Sequence, residues 1–225
     1  MSTALTDQEI KKEIIDRLYW DSRINASDVQ VDITGEGNVL LHGTVPSFRA
    51  LRAAEQDAWG TAGVLSVTND ISVAYPDEAG KPGDDDIRDS IRNSLAWNPV
   101  VNEDDIDITA SDGTAILEGT VTSLWGKSRV EEIAYDITGV INVVNKLAVV
   151  PTDSYSDKNI ADRIISVFER NIYIDTEHID VSVENGYVTV RGTVPSWPVY
   201  STVTTAAKRM QGVVEVKNEL KIKKI

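Results

Sequence analysis

The apolar positions of this chain follow one pattern three times. Ile10, Ile14 and Leu18, then Ile87, Ile91 and Leu95, then Ile160, Ile164 and Phe168 recur at i, i+4, i+8, a spacing that lines one face of a helix. An aspartate precedes each series, Asp7, Asp84 or Asp157, and a carboxylate suits the free N–H groups and positive dipole of a helix start. Thr6 and Glu9 add a capping-box spacing to the first copy. Period-two alternation follows at Val29, Val31 and Ile33, at Ile106, Ile108 and Ala110, and at Ile179, Val181 and Val183. It predicts half-buried strands. Gly35 to Asn38, Asp112-Gly113 and Asn185-Gly186 then predict hairpin turns, because such turns need positive φ.

Three landmarks at constant spacing fix the rest of the unit. Gly-Thr-Val occurs at Gly43, Gly119 and Gly192; twenty residues on comes Gly-Val at Gly63, Gly139 and Gly212; six further on stands Asn69, Asn145 or Asn218. The second strand runs through 39–45, 115–121 and 187–194. A second helix fills the interval between the glycines, with the closing glycine expected at its C′ position. A third strand over 64–73, 140–149 and 213–222 is expected to lie parallel to the second, since a helix returns the chain between them. The predicted fold class is α+β: three tandem α-β-β-α-β modules, each with two helices on one face of a small three-stranded mixed sheet. Their expected spans are 1–75, 84–150 and 156–225, with linkers at 76–83 and 151–155. A unit of this size buries only about 60% of its unfolded surface, so packing between modules or oligomerisation is expected to help.

The pattern resembles the BON domain (bacterial OsmY and nodulation). The residues that carry the resemblance are Asp-x-x-Ile at the helix start, the Asn/Asp-Gly turn, Gly-Thr-Val with a following Ser and aromatic, and Gly-Val-x-x-Val-x-Asn. Leu18-Tyr19-Trp20-Asp21 and Leu95-Ala96-Trp97-Asn98 share Leu-x-Trp-[Asp/Asn], whereas the third copy has Phe168-Glu169-Arg170. The likeness covers about residues 6–223 and is similar to bacterial proteins made of three BON repeats. It implies a non-catalytic module linked to osmotic and envelope stress, proposed to bind phospholipid surfaces and found in transport-associated proteins such as secretins and channels. It implies no catalytic residues and no cofactor.

Charge and composition narrow the functional classes. The net charge is −14, distributed as −5 over residues 1–75, −10 over 76–153 and +1 over 154–225. Such a chain repels nucleic acid and anionic lipid except near its C-terminal third. The absence of cysteine excludes disulfides, thiolate metal sites and a cysteine nucleophile. No apolar run reaches the length of a membrane span. The amphipathic Met1–Arg17 stretch lacks the basic and apolar regions of a secretory signal. The expected location is therefore cytoplasmic as the sequence stands, or periplasmic if a leader has been removed.

Candidate chemistry is sparse. Gly126-Lys127-Ser128 lacks the upstream glycine of a phosphate loop and reads as a strand-to-helix turn. Asp84–Asp86 and Asn102–Asp105 do not match a calcium loop and read as helix-terminal charge and a solvated turn. His42 and His178 have no nucleophile or carboxylate partner fixed by spacing, so no catalytic or metal site is expected. Among the aromatics, Trp20 and Trp97 end the first helices. Core packing is the expectation for the tryptophans as a set, with a ligand or subunit surface as the alternative. Phe48, Trp125 and Trp197, at the start of the second helices, are the ligand or interface candidates. Lys208, Arg209, Lys217, Lys221, Lys223 and Lys224 form a candidate patch for anionic lipid. The leading expectation is a non-enzymatic binding or scaffolding protein at a phospholipid surface or envelope assembly. A carrier of a hydrophobic ligand between modules or subunits, and an oligomerising protein adaptor, are the alternatives.

Overall fold

The computed structural model describes residues 5–74, 80 and 82–223. Lys224 and most of the first expected linker lie outside them. The chain runs through α1 (Asp7–Trp20), β1 (Val29–Ile33), β2 (Asn38–Val45), α2 (Phe48–Trp59) and β3 (Ser66–Val73). It continues through α3 (Asp84–Ala96), β4 (Ile106–Ser111), β5 (Thr114–Val121), α4 (Leu124–Tyr135), β6 (Asn142–Asn145) and β7 (Ala148–Val149). The last unit holds α5 (Asp157–Glu169), β8 (Ile179–Glu184), β9 (Tyr187–Val194), α6 (Trp197–Lys208) and β10 (Glu215–Ile222). Each unit is α-β-β-α-β, as the repeat predicts.

In every sheet the second strand is central. It pairs antiparallel with the first and parallel with the third, in the registers Val31↔Leu41, Ile108↔Leu117 and Val181↔Val190 and then Leu41↔Asn69, Leu117↔Asn145 and Val190↔Asn218. In the second module the third strand is split into β6 and β7, both parallel to β5. Three cores result, one per unit, between the helix pair and the inner sheet face. Ile10, Ile14, Leu18 and their counterparts are fully buried, so the i, i+4, i+8 series forms the helical half of each core.

The repeated aspartate does more than start a helix. Thr6, Gly83 and Ser156 are the N-caps, with the capping box between Thr6 and Glu9 formed (2.8 and 3.3 Å). The aspartates come one residue later, and their carboxylates reach the hairpin turn. Asp84 accepts from the N–H groups of Asp112 and Gly113 (3.1 Å each), and Asp157 from Asn185 and Gly186 (2.8 and 2.9 Å). Asp7 accepts one such bond, from Gly37 (3.2 Å), in a turn where Gly35, Glu36 and Gly37 all have positive φ.

The landmark glycines serve close backbone approach. Gly43, Gly119 and Gly192 have φ of 134°, 116° and 133°, and a Cβ at each would lie about 2 Å from the carbonyl oxygen of Asp28, Asp105 or His178. Gly63, Gly139 and Gly212 are not at the C′ position, a correction to the sequence reading. The second helices end earlier, at caps Gly60, Asp136 and Arg209. The glycines sit three residues past the caps in positive φ, where a Cβ would strike Ile10, Ile87 or Tyr155 at 2.9 Å. The third landmark closes the unit: Asn69, Asn145 and Asn218 accept through Oδ1 from the N–H two residues on (2.9–3.2 Å). The Asn145 side chain also donates to the Lys127 carbonyl and the Glu131 carboxylate of α4 (3.1 Å each), tying strand to helix.

Candidate functional site

Phe48, Trp125 and Trp197 stand in the first turns of α2, α4 and α6, which start after Ser47, Ser123 and Ser196; the first two serines cap through their side chains, and α6 has Pro198 in its first turn instead. Each is spent on a joint with another module. The Phe48 ring stacks on Tyr135 at 3.5 Å between centroids and 13° between planes. The Arg209 guanidinium lies 4.2 Å over the Trp125 ring. Trp197 stacks on Trp59 at 5.7 Å and 16°. The start of α2 thus meets the end of α4, the start of α4 meets the end of α6, and the start of α6 meets the end of α2. The second joint is shifted by one residue on both sides. Leu124 takes the first helical position there and is buried in the core of the third module.

Three start-to-end joints in a cycle close the modules into a ring. Stacked aromatic pairs contribute roughly 0.5–1.5 kcal/mol beyond the area they bury, and a cation over a ring a comparable amount. These joints add to units whose own cores are small.

The two remaining tryptophans depart from the core expectation. Trp20 is 82% exposed and Trp97 90% exposed. They occupy the same loop, after the first helix, between an apolar anchor on each side: buried Leu18 and Ile24 in the first module, buried Leu95 and half-buried Val101 in the second. The loop is fixed by one device in all three copies. Asp21, Asn98 and Asn171 each accept, through the side chain, the N–H two residues on (2.8, 3.1 and 3.0 Å). The third module has Arg170 in place of the tryptophan but exposes Ile172 (89%) and Tyr173 (74%) in that loop. Sequence reasoning found the equivalence of Trp20 and Trp97 but not their exposure.

The basic set is spread over two surfaces. Lys208 and Arg209 are at the end of α6, against the other modules. Lys217, Lys221 and Lys223 alternate along β10 on the solvent face of its sheet. There Glu219 pairs with both Arg191 and Lys217 (2.6 Å each). These hydrogen bonds, first from Lys217 and then from Arg191, hold its carboxyl at about 2. Lys221 borders a cleft with Trp59 and Trp197.

Each histidine has a carboxylate partner that spacing did not reveal: His42 Nε2 is 3.0 Å from Asp32 and His178 Nδ1 2.9 Å from Asp175. Among the described residues neither ring is hydrogen-bonded to a hydroxyl. Gly126-Lys127-Ser128 lies in the first turns of α4, with the Gly126 N–H donating to the Ser123 cap (3.0 Å). Among the described residues no group of three His, Asp or Glu could hold a metal ion. No described helix is long and apolar enough to cross a membrane. One carboxyl is held unusually: Asp57, on α2, has an Oδ2 that is buried and has no hydrogen-bond partner among the described residues. Burial, and then the neighbouring Asp21, push it above the usual carboxylate range.

The chain is 26% identical over 146 residues to the osmotically-inducible protein Y of Escherichia coli (strain K12), covering 62% of this chain and 73% of that protein. Two structures of CdsD, a structural protein of the type III secretion system of Chlamydia trachomatis, align at 13 and 14% identity. They cover 97 and 95% of this chain and 100 and 92% of theirs, with TM-scores of 0.26 and 0.28, too low to relate the whole arrangements. The family model of the BON domain matches three times, over residues 6–75, 83–151 and 156–224. Each match spans one α-β-β-α-β unit from its helix-start aspartate to its last strand, and the chain belongs to the BON domain family.

Proposed function

We propose that this protein is a non-catalytic binding protein that docks on phospholipid surfaces through the three loop tips, as part of a stress response. The observation that carries this reading is the exposure of Trp20, Trp97, Ile172 and Tyr173 in equivalent, hydrogen-bonded loops. Indole rings favour the boundary between water and acyl chains, where an apolar body and one N–H are both accommodated. Burying one exposed tryptophan contributes on the order of 2 kcal/mol. The loops are already ordered, so little entropy opposes insertion. A net charge of −14 opposes anionic surfaces, which makes apolar insertion the better-supported contact than attraction through lysines. The inducible character named for the Escherichia coli relative supports the stress assignment.

Co-flotation with neutral and mildly anionic vesicles tests the reading. Binding that changes little with salt and is lost in Trp20→Ser/Trp97→Ser supports it. Binding confined to anionic vesicles, weakened by salt and abolished by Lys221→Glu/Lys223→Glu, would transfer the contact to the basic sheet face. A protein that never floats ends the proposal. A second reading, a carrier of an apolar ligand, is favoured by the cleft of about 390 Å³ between Trp59, Trp197, Tyr200 and Ile222. Quenching of tryptophan emission by fatty acid, absent in Tyr200→Glu, would support it.

A further inference from the structure

A second cleft, of about 450 Å³, opens between α2 and α4, and Lys208 from the end of α6 reaches it. All three modules therefore line it. Its lining carries five cations and three carboxylates, the reverse of the chain's overall balance. Two of the cations are already neutralised: Arg129 pairs with Glu132 (3.1 Å) and Arg23 with Asp21 (2.5 Å). Arg49, Arg52 and Lys208 form no ion pair among the described residues. Of the carboxylates, Glu131 is hydrogen-bonded to Asn145 (3.1 Å) and Asp136 lies just past the end of α4.

Among the described residues neither arginine is held by an ion pair, although Arg49 also borders a surface that carries Asp16, Asp21 and Asp57. Arg49 is in the first turn of α2, where no acidic residue offsets it and the positive end of the helix dipole disfavours a cation. The equivalent positions in α4 and α6 are Trp125 with Ser128 and Pro198 with Ser201. The module folds without these charges. Both arginines are exposed, so neither supports a core.

We propose that this cleft binds an organic phosphate, held by the Arg49 and Arg52 guanidiniums with Lys208 as a third charge. A guanidinium presents paired N–H donors that match two phosphate oxygens, and an ammonium adds a compact charge. The dipole of α2 then favours the bound anion instead of opposing the arginines. Ser128 and Gln56 offer neutral hydrogen-bonding groups to the ester oxygen, and the Phe48–Tyr135 stack walls one end against an apolar substituent. Because the site needs residues from three modules, it exists only when the ring is closed.

The same headgroup chemistry is offered by a soluble phosphate ester and by an anionic phospholipid, and the experiment separates them. Phenyl phosphate and inorganic phosphate are titrated calorimetrically into the full chain, and vesicles containing phosphatidic acid are tested by flotation. The expected result is saturable binding of phenyl phosphate, tighter than inorganic phosphate. Arg49→Gln/Arg52→Gln should weaken it by about tenfold or more, with an unchanged or higher melting temperature. Flotation that survives in this variant identifies the ligand as a soluble ester. Flotation of phosphatidic acid vesicles lost with it, while Trp20→Ser/Trp97→Ser still binds phenyl phosphate, identifies a lipid headgroup. Absence of saturable phosphate binding, or binding untouched by the double substitution, overturns the proposal whether or not the loop tips bind membrane.

Discussion

The carboxylate of Asp157 takes the backbone N–H of Asn185, 28 residues ahead, at 2.8 Å, and that of the following Gly186 at 2.9 Å. A helix start thereby holds the turn of a hairpin, and the charge that favours the helix dipole also satisfies two turn donors. Bonds to a charged acceptor are worth about 1.5–3 kcal/mol. Asp157→Ala is expected to lower stability by about 2 kcal/mol. Asp7→Ala, which loses only the single 3.2 Å bond to Gly37, should cost roughly half as much. Urea melts of the two variants check the ranking; equal midpoints would show that the helix dipole, not the turn, is the recipient.

Gly192 approaches the backbone so closely that its substitution cannot be absorbed by a rotamer change. An added Cβ would lie 1.9 Å from the His178 carbonyl oxygen, at a φ of 133° that side chains avoid. Gly192→Ala is expected to cost roughly 3 kcal/mol or more and to leave the third module unfolded. Amide exchange would read this as protection lost across β8 to β10. Gly80→Ala, where a Cβ has open space within 4 Å, is the control for backbone conformation alone.

What the sequence makes legible is what repeats within one unit. The buried series Ile160, Ile164 and Phe168 and the pairing of Val181 with Val190 follow from periodicities of 3.6 and 2. The positive φ at Asp112 and Asn185 follows from the turn residues. The spacing alone places Gly63 at the helix end, but the helix ends at Trp59 and is capped by Gly60, so the landmark glycine serves the turn into β3 instead. Trp20 reads as core because tryptophan usually is. Its exposure depends on the loop being pinned by Leu18 and Ile24 on either side. Contacts such as Phe48 with Tyr135 depend on how modules dock, and no periodicity carries that information.

Trp197→Ala should open the joint between the third and first modules. The stack on Trp59 is lost while both cores remain. The expected cost is about 1–2 kcal/mol of docking free energy. In a calorimetric scan the melt should broaden or split as the modules uncouple, and the radius of gyration from X-ray scattering should rise. Ile164→Ala, in a core, should instead lower the melting temperature of the third module without changing the overall size; identical behaviour of the two variants would refute the joint.

Asp57 gives the chain a stability term that runs opposite to its ion pairs. Burial, then the nearby charge of Asp21, raise its pKa in the folded state, while Arg23 holds Asp21 itself below the usual carboxylate range. A raised folded pKa means that the folded chain binds this proton more tightly than the unfolded chain. The favourable contribution is complete below the unfolded carboxylate pKa and is lost as pH rises through the folded value. Above its folded pKa Asp57 carries its charge with one oxygen buried and, among the described residues, without a hydrogen-bond partner. Asp57→Asn is therefore expected to raise the melting temperature at pH 7, by roughly a degree or two given solvent screening of this partly exposed group. The gain should shrink toward zero by about pH 3, where the wild-type carboxyl is already protonated. Asp21→Asn, which removes the partner of Arg23, should lower stability at pH 7 and lose its effect as Asp21 itself protonates in acid. Melting curves across that range separate the two, and a gain for Asp57→Asn that persists in acid would show that the carboxyl's shape, not its charge, is what the site resists.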